Sequence, residues 1–155
     1  MSSKVIIYAD GGCRGNQNKV NIGGWGVVLR QGSQSKTLDG YDFNTTNNKM
    51  ELTAAIKALE AIKHNKYPIE IYMDSAYVVN GMTQWVHNWV RRGWRKADKS
   101  PVENKELWQR LYELKQNLGF VSFHKVKGHA GVADNELADE LANIAMDEAQ
   151  LTGGK

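Results

Sequence analysis

The phrase that most constrains this chain is its first apolar run, Lys4-Val-Ile-Ile-Tyr-Ala-Asp-Gly-Gly12, because a near copy returns as Pro68-Ile-Glu-Ile-Tyr-Met-Asp74. Val5, Ile6 and Ile7 are β-branched, and a short apolar run closed by turn formers reads as a buried strand. The Gly11-Gly12 pair predicts that this strand stops there, with a Gly/Asn-rich loop running on to Asn18. Asp10 then sits at the C-terminal end of a core strand, the edge where open α/β sheets carry their chemistry. Parallel strands lie about 4.8 Å apart, so pairing the two runs brings Asp10 and Asp74 within reach of one ion.

The chain between and beyond these runs fills in a sheet. Residues 22–29 and 35–42 read as a second and a weaker third strand, and their short links imply an antiparallel meander. Thr45-Thr-Asn-Asn48 is a helix start, followed by an apolar stripe of Leu52, Ala55, Ile56, Leu59 and Ile62. That helix is long enough to cross over to a fourth strand, 68–74, parallel to the first. A helix capped by Asp74 or Ser75 follows. Further on lie a helix over 103–117 with Leu107, Trp108, Leu111 and Leu114 on one face, a fifth strand over 120–126, and a final acidic helix over 133–148. The expected fold is α/β in a single domain over 1–155, fraying from about residue 150. Its five-stranded mixed sheet has strands 1–3 antiparallel, strands 4 and 5 parallel to strand 1, and helices on both faces.

Several function classes drop out at this level. No apolar run approaches the ~20 residues of a membrane span, and the N-terminus lacks the layout of a signal peptide, so a cytoplasmic protein is expected. Cys13 is the single cysteine, which excludes an internal disulfide and a cysteine-based zinc site. Charge is more telling in its distribution than in its sum. Arg91, Arg92, Arg95, Lys96 and Lys99 against Asp98 give residues 83–99 a net +4, in a chain whose total is +3. The excess positive charge therefore lies in one stretch, the footprint of a nucleic-acid binder.

Each acid alone has a plain explanation. Asp10 could be a turn residue, Glu51 could close a capping box with Asn48, Asp74 could be an N-cap, and Asp139 could be one more charge on a solvated helix. Together they point elsewhere. Asp10 and Asp74 end neighbouring strands, Glu51 lies early on the connecting helix, and Asp139 lies early on the last one. Converging carboxylates repel and cannot stay ionised when buried without cations. All-oxygen ligands select Mg²⁺ or Mn²⁺ over zinc, and a carboxylate site with room for two ions suits in-line phosphoryl displacement.

From Val5 to about Ala149 the chain resembles the bacterial type 1 ribonuclease H family. The resemblance is carried by Tyr8-Ala-Asp-Gly-Gly, Thr46-Asn-Asn-Lys-Met-Glu-Leu52, Asp74-Ser75, Thr83-Gln-Trp-Val-His-Asn-Trp89 and Arg92-Gly-Trp-Arg-Lys-Ala-Asp-Lys99. Leu107-Trp-Gln-Arg110, Val126-Lys-Gly-His-Ala-Gly131, Asn135-Glu136 and Asp139-Glu-Leu-Ala142 complete it. It implies an endoribonuclease that hydrolyses the RNA strand of RNA–DNA hybrids, giving 5′-phosphate and 3′-hydroxyl ends. Asp10, Glu51, Asp74 and Asp139 hold two Mg²⁺ ions in that reading, with Mn²⁺ as a substitute. Asp139 is chosen over Asp134 because the family acid precedes Glu-Leu-Ala. His129 resembles the family histidine that assists proton transfer or product release.

The basic stretch from Trp85 matches the family's protruding handle. Trp85, Trp89 and Trp94 interleave with Arg91, Arg92, Arg95 and Lys96, combining phosphate attraction with planar apolar surface. One face of it is expected to pack while the basic side chains project, so binding should be independent of sequence and weakened by salt. RNA differs from DNA by the 2′-hydroxyl. By resemblance Cys13, Asn16, Asn47 and Asn48 lie along the RNA minor-groove edge, and Thr46 near a DNA phosphate. A monomer is expected, with a single-stranded-DNA-binding protein as a candidate partner. The chain departs from the family at Ala76, where glutamine is frequent, at Gly12, where serine is frequent, and at Gln17-Asn18-Lys19, which replaces a proline-glycine turn. Two alternatives stand beside this reading. The handle and Asn47-Asn48 argue against a DNA nuclease on the same fold, and the complete acid set argues against a non-catalytic hybrid-binding module.

Overall fold

A computed structural model describes residues 4–15, 20–63, 66–128 and 131–152. Five strands, β1 (Val5–Arg14), β2 (Ile22–Gln31), β3 (Gln34–Phe43), β4 (Ile69–Met73) and β5 (Val121–Lys125), form one sheet in the order β3-β2-β1-β4-β5. β1 pairs antiparallel with β2, and β2 with β3, while β4 runs parallel to β1 and β5 parallel to β4. This is the expected mixed sheet.

Strand parity assigns the layers, because successive side chains point to opposite faces. Ile7, Ala9, Val27, Ile71, Met73 and Phe123 all carry odd numbers and line one face. There they join Leu52, Ala55, Ile56 and Leu59 of α1 (Asn47–Glu60) and Trp108 and Leu111 of α4 (Lys105–Leu118) in the main core. The stripe expected on α1 is thus the buried one, although the helix ends before Ile62. On the other face Ile22 packs with Met146 and Ala149 of α5 (Ala133–Thr152). Gly24 and Gly26 make that second layer close. A Cβ on either would stand 2.3 Å from the carbonyl oxygen of Ala142 or Ala138, so the α5 backbone lies directly on β2.

Two boundaries differ from expectation for clear reasons. The Gly11-Gly12 pair does not end β1, which keeps its ladder with β2 through Cys13↔Gly23 and Arg14↔Ile22. A continuing antiparallel partner outweighs the local turn preference of glycine. The last helix continues to Thr152, beyond Glu148, with Ala149 fully buried against β2's neighbourhood. Between β4 and α4 the chain forms α2 (Ala76–Asn80), a π-helical turn (Gly81–Trp85) and α3 (Val86–Arg91). Gly81 lies against the Trp108 ring, where a Cβ would be 2.1 Å from the nearest ring carbon.

Candidate active site

The parallel ladder of β1 and β4 ends at Tyr8↔Tyr72, while β1 continues alongside β2. Asp10 and Asp74 each lie two residues past that last pair and, by parity, on the same face. The end of the ladder leaves an opening between the strands, and Glu51 enters it from α1. Gly11 permits this. A Cβ there would lie 2.4 Å from the carbonyl carbon and oxygen of Met50 and 2.6 Å from the Glu51 nitrogen, so the helix start rests on the strand backbone. The Gly11 N–H donates to Glu51 Oε1 at 2.9 Å.

Glu51 is therefore not half of a capping box. Thr46 is the N-cap, its hydroxyl accepting from the Lys49 N–H at 3.1 Å. Asp74 is likewise released from capping, because Ser75 accepts from the Val78 N–H at 3.2 Å to cap α2. Asp139 approaches from α5, whose backbone packs closely on Gly24 and Gly26, near enough to Asp10 to help raise its carboxyl. Asp134, the acid set aside on sequence grounds, is engaged elsewhere. Arg30 donates to both of its carboxylate oxygens, at 2.6 and 2.8 Å.

Carboxylate oxygens of Asp10, Glu51 and Asp74 lie within 4.8 Å of one another. Asp10 is 6% exposed. Burial first, then the charges of Glu51 and Asp74 and the nearby Asp139, push its carboxyl up to about 9. Burial and the Asp74 charge push Glu51 up to about 8, against the pull of the Gly11 N–H. Among the described residues no Lys or Arg forms a salt bridge with any of the four acids. An oxygen-only donor set, buried at Asp10 and half-buried at Glu51, Asp74 and Asp139, with no ion pair to Lys or Arg among the described residues, fits a hard divalent cation.

Sequence reasoning missed one neighbour of this set. Gly128 follows β5 so closely on Asp74 that a Cβ would meet Asp74 Oδ2 at 2.8 Å. Its flanking position before His129 was legible, but its role as a close backbone approach was not. His129 itself, like Asn16, lies outside the described residues. Asn47 and Asn48 are exposed on the first turn of α1, one turn ahead of Glu51. Thr46 is exposed beside them, and Cys13 Sγ stands 3.7 Å from the Thr45 carbonyl oxygen.

The basic stretch packs on one side and projects on the other. Trp89 sits against Trp85, Trp94 and the buried Trp108, with ring centroids 6.0, 6.3 and 5.2 Å apart. Trp85 is 37% exposed, the most open of the three handle rings. Arg91, Arg92, Arg95 and Lys96 are all exposed.

The family model described as RNase H matches residues 2–147. The chain belongs to the ribonuclease H family. It is 53% identical over 146 residues to a ribonuclease H of Ruthia magnifica subsp. Calyptogena magnifica, covering 94% of this chain and 97% of the relative. It is 50% identical to a ribonuclease H of Caulobacter sp. (strain K31), covering 94% and 92%. Among solved structures, LC9-RNase H1, a type 1 RNase H with the type 2 active-site motif, superposes with a TM-score of 0.82 at 34% identity, over 96% of this chain and 74% of that one. LC11-RNase H1, solved in complex with RNA/DNA hybrid, superposes with a TM-score of 0.72 at 29% identity, over 94% and 98%. The chain is thus an endonuclease of the hydrolase class, from a family that depends on divalent metal, with the acidic triad in place. Among the described residues no helix is long and apolar enough to cross a membrane.

Proposed function

We propose that this ribonuclease H cleaves the RNA strand of RNA–DNA hybrids with two divalent ions, leaving 5′-phosphate and 3′-hydroxyl ends. The convergence of Asp10, Glu51 and Asp74 within 4.8 Å is the observation that carries the reading, with Asp139 near enough to raise the Asp10 carboxyl. When bound, two such ions activate an attacking water and stabilise the leaving oxygen. The chain's own part is to supply and orient the ligands. Asp10 is central, held on β1 between the other acids. Glu51 is aimed by the Gly11 N–H, and Asp74 and Asp139 close the ring from β4 and α5.

The duplex is held away from the chemistry. Arg91, Arg92, Arg95 and Lys96 attract phosphates along the handle, with Trp85 offering a planar face and Trp89 and Trp94 buttressing it. Asn47 and Asn48, exposed one turn before Glu51, suit contact with a 2′-hydroxyl near the acids, alongside Cys13, Asn16 and Thr46. His129 is assigned proton transfer or product release on the resemblance. Preference for Mg²⁺ with Mn²⁺ as substitute, action as a monomer in the cytoplasm, and contact with a single-stranded-DNA-binding protein belong to the same proposal.

The test is strand selectivity with product ends. A hybrid labelled on either strand, a matched RNA–RNA duplex and a DNA–DNA duplex are incubated with Mg²⁺. RNA-strand cleavage of the hybrid alone, with products that ligate through a 5′-phosphate, is expected. Cleavage of the DNA duplex would move the chain to the DNA-nuclease reading, and binding without cleavage to the binding-module reading.

A further inference from the structure

Glu51, on α1, is aimed by the Gly11 N–H, and Asp139, on the flank of α5, has a support of its own. Asn143, one turn along α5, supplies it. Its Nδ2 donates to the Asp139 carbonyl oxygen at 3.0 Å and to the carboxylate Oδ2 at 3.5 Å. The amide is not free to turn over. Its Oδ1 accepts from an Arg14 guanidinium nitrogen at 3.2 Å, and that nitrogen also donates to the Asn143 carbonyl oxygen at 3.3 Å. A guanidinium can only donate, so it must face Oδ1, and this leaves the donating end of the amide for Asp139. The other Arg14 nitrogen is tied to Asp147 Oδ1 and Gln150 Oε1, both at 2.8 Å. The planar fork is thereby held across about two turns of α5, from Asn143 to Gln150.

We propose that Arg14 and Asn143 form a positioning pair that sets the Asp139 carboxylate for its share of a divalent cation. The inference rests on the reading of Asp139 as a metal ligand. It also joins two parts of the site. Arg14 is the last residue of β1, next to Cys13, so the strand end that carries a candidate substrate contact is tied to the fourth acid through a single amide. Partners that orient ligating carboxylates typically account for about 10–100-fold in metal affinity or activity.

The experiment measures metal dependence in two ways on the full chain: Mg²⁺ titration of hybrid cleavage, and calorimetric titration of Mn²⁺ alone. Asn143→Ala and Arg14→Ala are each expected to raise the half-saturating metal concentration about 10-fold while KM for the hybrid stays within about twofold. The double variant should be no worse than either single one, because Arg14 acts through Asn143. Asn143→Asp keeps the bond to Arg14 but turns an acceptor toward Asp139, and should lose as much as Asn143→Ala. Arg30→Ala, which removes an exposed ion pair with Asp134 elsewhere on α5, should leave the metal constants unchanged. A purely structural pair would lower Tm and leave both metal constants in place, which would overturn the proposal, as would additive losses in the double variant. Asp139→Asn separates the two layers of the argument. If it shifts metal dependence and Asn143→Ala does not, the positioning pair fails and the ligand reading stands. If it shifts neither constant, both fall.

Discussion

Replacing Asp10 by asparagine should abolish cleavage and yet stabilise the metal-free protein. In the folded chain without cation, burial and the neighbouring acids keep a proton on Asp10 up to about pH 9. In the unfolded chain the same carboxyl has its ordinary value near 3.9. Above about pH 4 the unfolded state therefore binds fewer protons than the folded one, and stability falls as pH rises toward 9. Each pH unit in that window costs about 1.4 kcal/mol, which sets a ceiling of about 4 kcal/mol at pH 7. Solvent reaching the half-buried Glu51 and Asp74 screens part of this, and a net gain of about 2–3 kcal/mol for Asp10→Asn is expected. For a chain of this size that is a rise in Tm of roughly 4–10 °C. The assay is thermal unfolding of both proteins in EDTA at pH 5 and pH 7, with the gain shrinking to about 1 kcal/mol at pH 5. Adding Mg²⁺ at pH 7 should narrow or reverse the difference, since only the wild type presents the full ligand set. A variant less stable than wild type in EDTA at pH 7, or a gain that does not change with pH, would refute the electrostatic account of the site.

Gly11→Ala drives a Cβ into the α1 backbone at 2.4 Å, so it should cost about 2–3 kcal/mol in denaturant unfolding and lower kcat by displacing Glu51. Arg92→Ala and Arg95→Ala should raise KM for the hybrid several-fold with little change in kcat, and each should reduce the salt slope of binding by about one. Unchanged affinity with a lower kcat would contradict the handle's role. Arg30→Ala removes an exposed bidentate pair with Asp134 and should shift stability by no more than about 1 kcal/mol, with activity retained. A large loss of activity there would mean that Asp134 had been wrongly set aside.

The sheet was legible because its signals are local or repeated. The two Tyr-x-Asp runs announced parallel neighbours, the apolar stripe of α1 announced its buried face, and the order of elements left few topologies. What was not legible depended on partners far away in sequence. Whether Gly11-Gly12 turned or continued was decided by β2, and the answer placed Arg14 on a strand instead of in a loop. Glu51 looked like a capping residue until the Gly11 N–H, 40 residues away, was seen to hold it. The handle tryptophans could be surface or core by spacing alone, and the buried Trp108 ring decides in part for core. The Arg14–Asn143 contact spans 129 residues and has no local signal at all. The four acids were singled out together because their common chemistry, repulsion without a cation, could be argued before any distance was known.

Cleavage of a labelled RNA–DNA hybrid by wild type and Asp10→Asn, each with Mg²⁺ and with EDTA, decides whether these carboxylates carry out the chemistry. The account predicts RNA-strand cleavage by the wild type in Mg²⁺ only, and none by the variant although it still binds the hybrid. Cleavage that survives EDTA, or that survives Asp10→Asn, would contradict a site built from these carboxylates around divalent cations.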